Sequence, residues 1–301
     1  MTMTASRKAD LPNINELWDF QKPEDTEIKF RDLLPTIRNE DLSYRIQLLT
    51  QIARAQGLQR KFDEAHQTLD EAQSMLTDDL ALAKVRILLE RGRVYNSSKD
   101  PARARPLFLE ALEAAQTAGE DFYAIDAAHM MGIIEPPQQQ LEWNLLALDL
   151  AEQSSDSQAK NWLGSLYNNI GWTYHSLGDY DQALEIFQKA LKWREEDGPE
   201  PEIRIAKWCV ARALRSVHRV PEALKLQREL LGEYARVGEQ SGYVYEELAE
   251  CLLLLGEADE ARQYFSLAYR ELSRDPWLAE NEPARIERLN EIGSLSGQEQ
   301  R

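Results

Sequence analysis

Long apolar runs are missing from this chain of 301 residues, and no hydrophobic stretch reaches the ~18 residues that a membrane-spanning helix needs. The opening stretch MTMTASRKADLPNINELWDF lacks the apolar core of a secretory signal, so the expected compartment is the cytoplasm. Basic residues are in deficit, 35 Lys and Arg against 52 Asp and Glu, for a formal charge of -17. That balance argues against nucleic acid as a partner, because phosphate recognition needs a concentrated excess of positive charge. Only two cysteines occur, Cys209 and Cys251, each beside apolar neighbours, too few for a disulfide-rich scaffold; buried free thiols are expected, with a single disulfide or a reactive role as the alternatives. Glycine (14) and proline (12) are scarce and β-branched runs nearly absent, so a sheet-based fold is excluded and a helical one expected.

Catalytic signatures are also lacking. No HExxH, CxxC, glycine-rich phosphate loop or GxSxG occurs, and the four histidines, His66, His129, His175 and His218, are widely scattered. Asp126 and His129 stand three apart on one helical face, which could orient an imidazole; the plainer reading is a local contact. No metal, cofactor or catalytic residue is therefore expected, and the chain is read as a non-enzyme.

What is present is a pattern. Hydrophobic residues make up 43% of the chain, enough to bury a core. Residues 167–191, YNNIGWTYHSLGDYDQALEIFQKAL, read as two helices around a turn, with Tyr167, Ile170, Gly171, Tyr174, Gly178, Tyr180, Ala183, Phe187 and Ala190 in register. Small residues at Gly171 and Ala183 let two helices cross closely, Phe187 fills the space beside them, and Gly178 permits a left-handed turn. The pattern recurs around Leu248, Ala249, Gly256, Ala261, Phe265 and Ala268, around Ile52, Ala53, Ala65, Leu69 and Ala72, and around Leu88, Gly92, Ala104, Phe108 and Ala111. Weaker copies surround Ala128, Met131 and Ala147, and Val210, Ala211, Leu214, Ala223 and Leu230. The markers at 65, 104, 140, 183, 223 and 261 lie 36 to 43 residues apart. Gln140, Arg91 and Gln227 depart from the small or apolar residues of the other copies.

In order and spacing these residues resemble the tetratricopeptide repeat, in a longer form than its usual period. The resemblance implies an all-α, right-handed superhelical solenoid of about six antiparallel hairpins. Pro- and Gly-containing breaks at 133–140 and 195–202 are short, so a single array over 14–292 is expected, with flexible tails at 1–13 and 293–301. The segment EDTEIKFRDLLPTIR is expected to form one helix covering the first repeat, and a helix at 283–292 to cover the last through Ile286 and Leu289.

The resemblance also implies that the first helix of each hairpin lines a concave, partner-binding surface. Carried over copy by copy, that surface holds Arg54, Arg86, Arg93, Phe122, His129, Asn168, Trp172, His175, Trp208, Arg212, Arg215 and Tyr243, with Asn169 at its edge. Among the thirty surface positions are five basic and two acidic residues, Glu246 and Glu250, so the surface is positive and aromatic inside an acidic protein. Arginines can hold carboxylates bidentately and aromatics supply contact area, which suits an acidic or carboxylate-bearing protein segment. The alternative is that the arginines pair with acids of the same chain such as Glu90 or Glu247. The lysine of the family's carboxylate-clamp subset is absent, whereas Asn169 matches the backbone-reading asparagine of kinesin light chain-like arrays. The reading is thus a peptide- or protein-binding scaffold, with a ligand-responsive regulator as the first alternative and an enzyme of unknown class as the last.

Overall fold

The computed structural model describes residues 11–294, and these are helical throughout, with no strand among them. A short 3-10 turn at Ile14–Leu17 is followed by α1 (Pro23–Leu33), α2 (Leu42–Leu58), α3 (Phe62–Ser74), α4 (Ala81–Ser97) and α5 (Pro101–Ala118). Next come α6 (Asp121–Ile134), α7 (Pro137–Gln153), the single turn α8 (Ser157–Lys160), α9 (Trp162–Leu177), α10 (Tyr180–Asp197), α11 (Glu200–Ser216) and α12 (Val220–Arg236). The chain ends with α13 (Gly242–Leu254), α14 (Ala258–Leu272), α15 (Pro276–Asn281) and α16 (Pro283–Ser294). The helices divide into two compact units, one up to Trp162 and one from Leu163 onward. Three hairpins belong to each: α2–α3, α4–α5 and α6–α7 to unit 1, α9–α10, α11–α12 and α13–α14 to unit 2.

Each hairpin closes on the small-and-large arrangement read from the sequence. Ala53, Ala65, Ala104, Ala183, Ala211, Ala223, Ala249 and Ala261 are fully buried, as are Phe108, Phe187 and Phe265. A methyl group added to Gly92 or Gly171 would stand 2.4 Å from a ring carbon of Phe108 or Phe187, so a larger residue would force these buried rings to move. Five hairpin turns share one backbone motif, in which a residue in the left-handed region follows the first helix. Gly178 and Gly256 occupy it without strain; Arg60, Lys99 and His218 adopt the same positive φ. The motif is fixed by a six-to-one bond each time: Lys61 N to Gln56 O, Asp100 N to Tyr95 O, Asp179 N to Tyr174 O, Arg219 N to Leu214 O and Glu257 N to Leu252 O. The α6–α7 turn differs, passing through extended Glu135 and Pro136. Asp100 and Asp179 cap α5 and α10 through the backbone N–H of Arg103 and Gln182.

The departures from the pattern have separate outcomes. Arg91 reaches Asp70 at 2.9 Å and remains partly solvated. Gln227 is fully buried where other hairpins carry Phe, and neither amide atom has a partner. Asn144 takes that place in the third hairpin, where Gly132 makes room for it.

The covers are more broken than expected. α1 stops at Leu33 because Pro35 removes a helical donor, and a 3-10 turn at Leu34–Thr36 follows. Residues 11–13 are held in place: Tyr44 Oη donates to Pro12 O at 2.7 Å and Asn13 caps the first turn. The rest of the expected N-terminal tail, 1–10, and residues 295–301 lie outside the described residues. At the other end α16 extends to Ser294, with Leu289 fully buried and Gly293 against the Ser266 backbone. Neither α8 nor α15 belongs to a repeat, and no periodicity announces them.

Candidate functional site

In unit 1 the first-helix face carries a layered charge network. Arg93 on α4 donates to Glu90 at 2.8 Å and to Asp126 on α6 at 2.5 Å. Glu90 is 3% exposed and also accepts from Gln51 at 3.3 Å and, more weakly, from Arg54 at 3.5 Å. Burial works against the Arg93 charge, but Asp126 and Glu90 outweigh it and raise its pKa. Arg54 is shifted down, first by burial and then by the positive charge of Arg93. Its guanidinium lies 5.7 Å from the Trp18 ring and 5.3 Å from Phe20, which stack on each other at 4.7 Å. Trp18 Nε1 donates to Gln51 Oε1 at 3.0 Å, so the segment ahead of the repeats crosses this face as a strap.

Arg86, 5% exposed, stands apart. It donates to Gln47 Oε1 at 3.2 Å and lies 5.5 Å from the Tyr123 ring, with no carboxylate among the described residues within 4 Å. Phe122 packs against Trp162 at 5.8 Å and His129 against Trp162 at 5.1 Å. His129 is bonded to the Asn144 side chain, and burial lowers its pKa. Asp126 is engaged by Arg93 and also acts on His129 through its charge, which partly offsets the effect of burial. Between the strap and Trp162 lies a cleft of about 460 Å³.

The face of unit 2 is aromatic. Trp172, Trp208 and Tyr243, from three successive first helices, form a row with ring separations of 5.8 and 5.9 Å. Trp172 is also edge-on to Phe187 at 5.1 Å, which ties the row to the core. Trp208 Nε1 donates to Tyr243 O at 3.1 Å. Beside it Arg212 and Arg215 share Glu247, at 3.2 and 2.8 Å, and Arg215 makes a second bond at 3.0 Å. His175 Nε2 and Ser216 Oγ are 2.9 Å apart, and Asn168 Oδ1 accepts from the buried thiol of Cys209 at 3.5 Å. Asn169 lies with Asn168 in a cleft of about 220 Å³ between α9 and α11. Glu246 and Glu250, the two acidic residues of the expected surface, receive Arg285 and Arg288 of α16.

Sequence reasoning found these arginines and aromatics and, in its alternative, named Glu90 and Glu247, which Arg54, Arg93, Arg212 and Arg215 do meet. It did not find Asp126 or the station that brings these acids to the arginines. The acids that engage Arg54, Arg93 and Arg212 lie 36, 33 and 35 residues downstream, at one station of the next first helix. A search for an acid one repeat after each surface arginine would have found them. Trp18 and Phe20 were missed because they enter from outside the repeat, with the acidic, aromatic INELWDF as their only signal, and Trp162 because it opens α9 ahead of the repeat positions read from the sequence.

Stacked helix hairpins, locked by small residues on one side and presenting a polar and aromatic face on the other, define a helical-repeat protein of the kind that binds other proteins or peptides. Tetratricopeptide repeat models match residues 164–197 and residues 50–119 and 210–276, more than half of the chain, and the chain belongs to that family. No curated relative matches it. Among similar solved structures, apo RapI has a TM-score of 0.70 at 12% identity, over 92% of this chain and 84% of RapI. The signal transduction ATPase with a tetratricopeptide repeat sensor from Pyrococcus horikoshii gives 0.68 at 14%, over 89% of this chain and 41% of that one. NprR in complex with its cognate peptide NprX gives 0.51 at 15%, over 92% and 81%. At these identities the likeness is one of fold. No helix of the described residues is long and apolar enough to cross a membrane, and no three His, Cys, Asp or Glu among them gather as a metal site.

Proposed function

We propose that the protein is a non-enzymatic binding module that holds a segment of another protein against the first-helix face of unit 2. The observation that carries this reading is the Trp172–Trp208–Tyr243 row, three rings in contact on three successive hairpins, with Tyr243 40% exposed. A row of this kind offers contact area at low entropic cost, and it is the sort of anchor on which binding energy concentrates. Two guanidiniums share one carboxylate beside it, so a segment bearing Asp, Glu or a chain terminus completes the charge balance of Arg212, Arg215 and Glu247. The setting is cytoplasmic, where the two free thiols stay reduced.

The test is selection of peptides from a random display library by the full chain. Selected peptides should be rich in acidic and apolar residues and lose affinity at least tenfold on Trp208→Ala, with helicity unchanged. Peptides that bind the variant equally well would overturn the reading. A second reading, a ligand-responsive regulator, draws on the peptide bound by NprR and on the division of this chain into two units. It requires that a selected peptide change the small-angle scattering of the chain, whereas a scaffold shows no change.

A further inference from the structure

We infer that the cleft of unit 1 is a separate binding site for a small ligand carrying one carboxylate on a flat, aromatic body. It lies in the other unit and does not rest on the peptide-binding reading. The first argument is charge. Three guanidiniums, Arg54, Arg86 and Arg93, line the cleft with three carboxylates, Glu16, Glu90 and Asp126, of which only Glu90 and Asp126 are buried. Arg93 takes both carboxylates, and Arg54 has Glu90 only at 3.5 Å while resting on aromatic rings. Arg86 is left buried with a neutral partner, Gln47. Glu16, at the rim, is exposed and bonded to Asn13, so water screens it. A buried cation without a counter-ion is costly to maintain for structure alone, since an apolar side chain of the same size serves packing better. One bound carboxylate cancels the surplus.

The second argument is shape and polarity. Two aromatic pairs line the cleft, Trp18 with Phe20, which is 56% exposed, and Phe122 with Trp162. Aromatic rings lining a cleft select a flat body by stacking. A third observation is Glu90 Oε2, which has no hydrogen-bond partner on a side chain that is itself 4% exposed. An N–H or O–H on the ligand supplies the donor it lacks. The cleft volume of about 460 Å³ falls within the range of small-molecule sites, roughly 300–1,000 Å³.

Indole-3-acetate has a flat body, one carboxylate and one N–H, and indole-3-acetamide is its neutral counterpart. Calorimetric titration of the full chain should give binding of the acid at least tenfold tighter than the amide. N-acetyl-Gly-Trp with a free or an amidated C-terminus provides the second arm. If the free peptide outranks indole-3-acetate, the carboxylate comes from a chain terminus; if the order is reversed, from a free acid. Arg86→Met should erase the preference for acid over amide while leaving the melting temperature equal or higher, which a purely structural arginine would not do. Should Arg86→Met fail to fold, Phe20→Ala at an exposed position should still weaken both probes severalfold. Equal binding of acid and amide, no binding of any probe at several millimolar, or an Arg86→Met chain that keeps the preference would overturn the assignment.

Discussion

The second-helix side of the two units is the same and the first-helix side is not. Ala104 and Phe108 in unit 1 repeat the burial of Ala183 and Phe187 in unit 2, down to the glycine each ring faces. Yet where unit 1 places Arg54, Arg93 and His129, unit 2 places Trp172, Arg212 and Glu250 at the same station of successive hairpins. Packing between helices admits few solutions, so it recurs, whereas the opposite face is released from that constraint and can diverge. Unit 1 uses the freedom for a buried ion network under a strap, unit 2 for a row of rings.

The largest expected effect tests the shared side. Phe108→Ala and Phe187→Ala should each cost about 3–5 kcal/mol in chemical denaturation, because each empties a fully buried ring site. A cost in one unit only would break the equivalence. Next, Glu247→Leu should cost about 2–3 kcal/mol by stranding two guanidiniums that are partly solvated, while Arg86→Met should cost nothing. The reverse ranking would mean that the arginine of unit 1 is the structural one. Gln227→Leu should stabilise by about 1–2 kcal/mol, since it removes a buried amide with no partner, and a loss would show that the amide is satisfied in solution. His218→Gly and Lys99→Gly, one in each unit, should each gain up to about 1 kcal/mol by relieving a positive φ.

The smallest effect is that of pH. Burial holds His66 and His129 in unit 1 and His175 in unit 2 below the ordinary 6.5. The unfolded chain then takes up protons first, so this contribution is complete above about pH 6.5 and is lost as pH falls through the folded values. Burial pushes Glu247 up to about 7, which adds stability on acidification and opposes the histidines. The check is therefore a difference: between pH 7.5 and 5.5 the denaturant midpoint of His129→Gln should fall less, or rise more, than that of the parent chain.

The repeats were legible because their chemistry is local: a small residue and a ring sixteen positions apart, as in Gly92 with Phe108 and Gly171 with Phe187, state a hairpin by themselves. Surface aromatics such as Trp208 were legible through the same register. Glu90 and Glu247 were legible as acids the arginines could meet. The second hold of Arg93 was not, because Asp126 sits a whole repeat away and one acid looks like any other in so acidic a chain. The strap and α16 were the least legible in their contacts. Trp18, Arg285 and Arg288 reach the face from outside the period, and only their position beside the first and last hairpins brings them there.

The shared left-handed turn has a practical use. Arg60 and Lys99 in unit 1 and His218 in unit 2 already carry side chains there, so a cysteine at any of them adds no new backbone strain. Both native thiols are buried, with pKa values pushed up to about 12, and react slowly. A pair of dyes or spin labels at 99 and 218 therefore turns the two-unit chain into a ruler. Its two ends are fixed by backbone hydrogen bonds, and its reading follows each ligand as it is added.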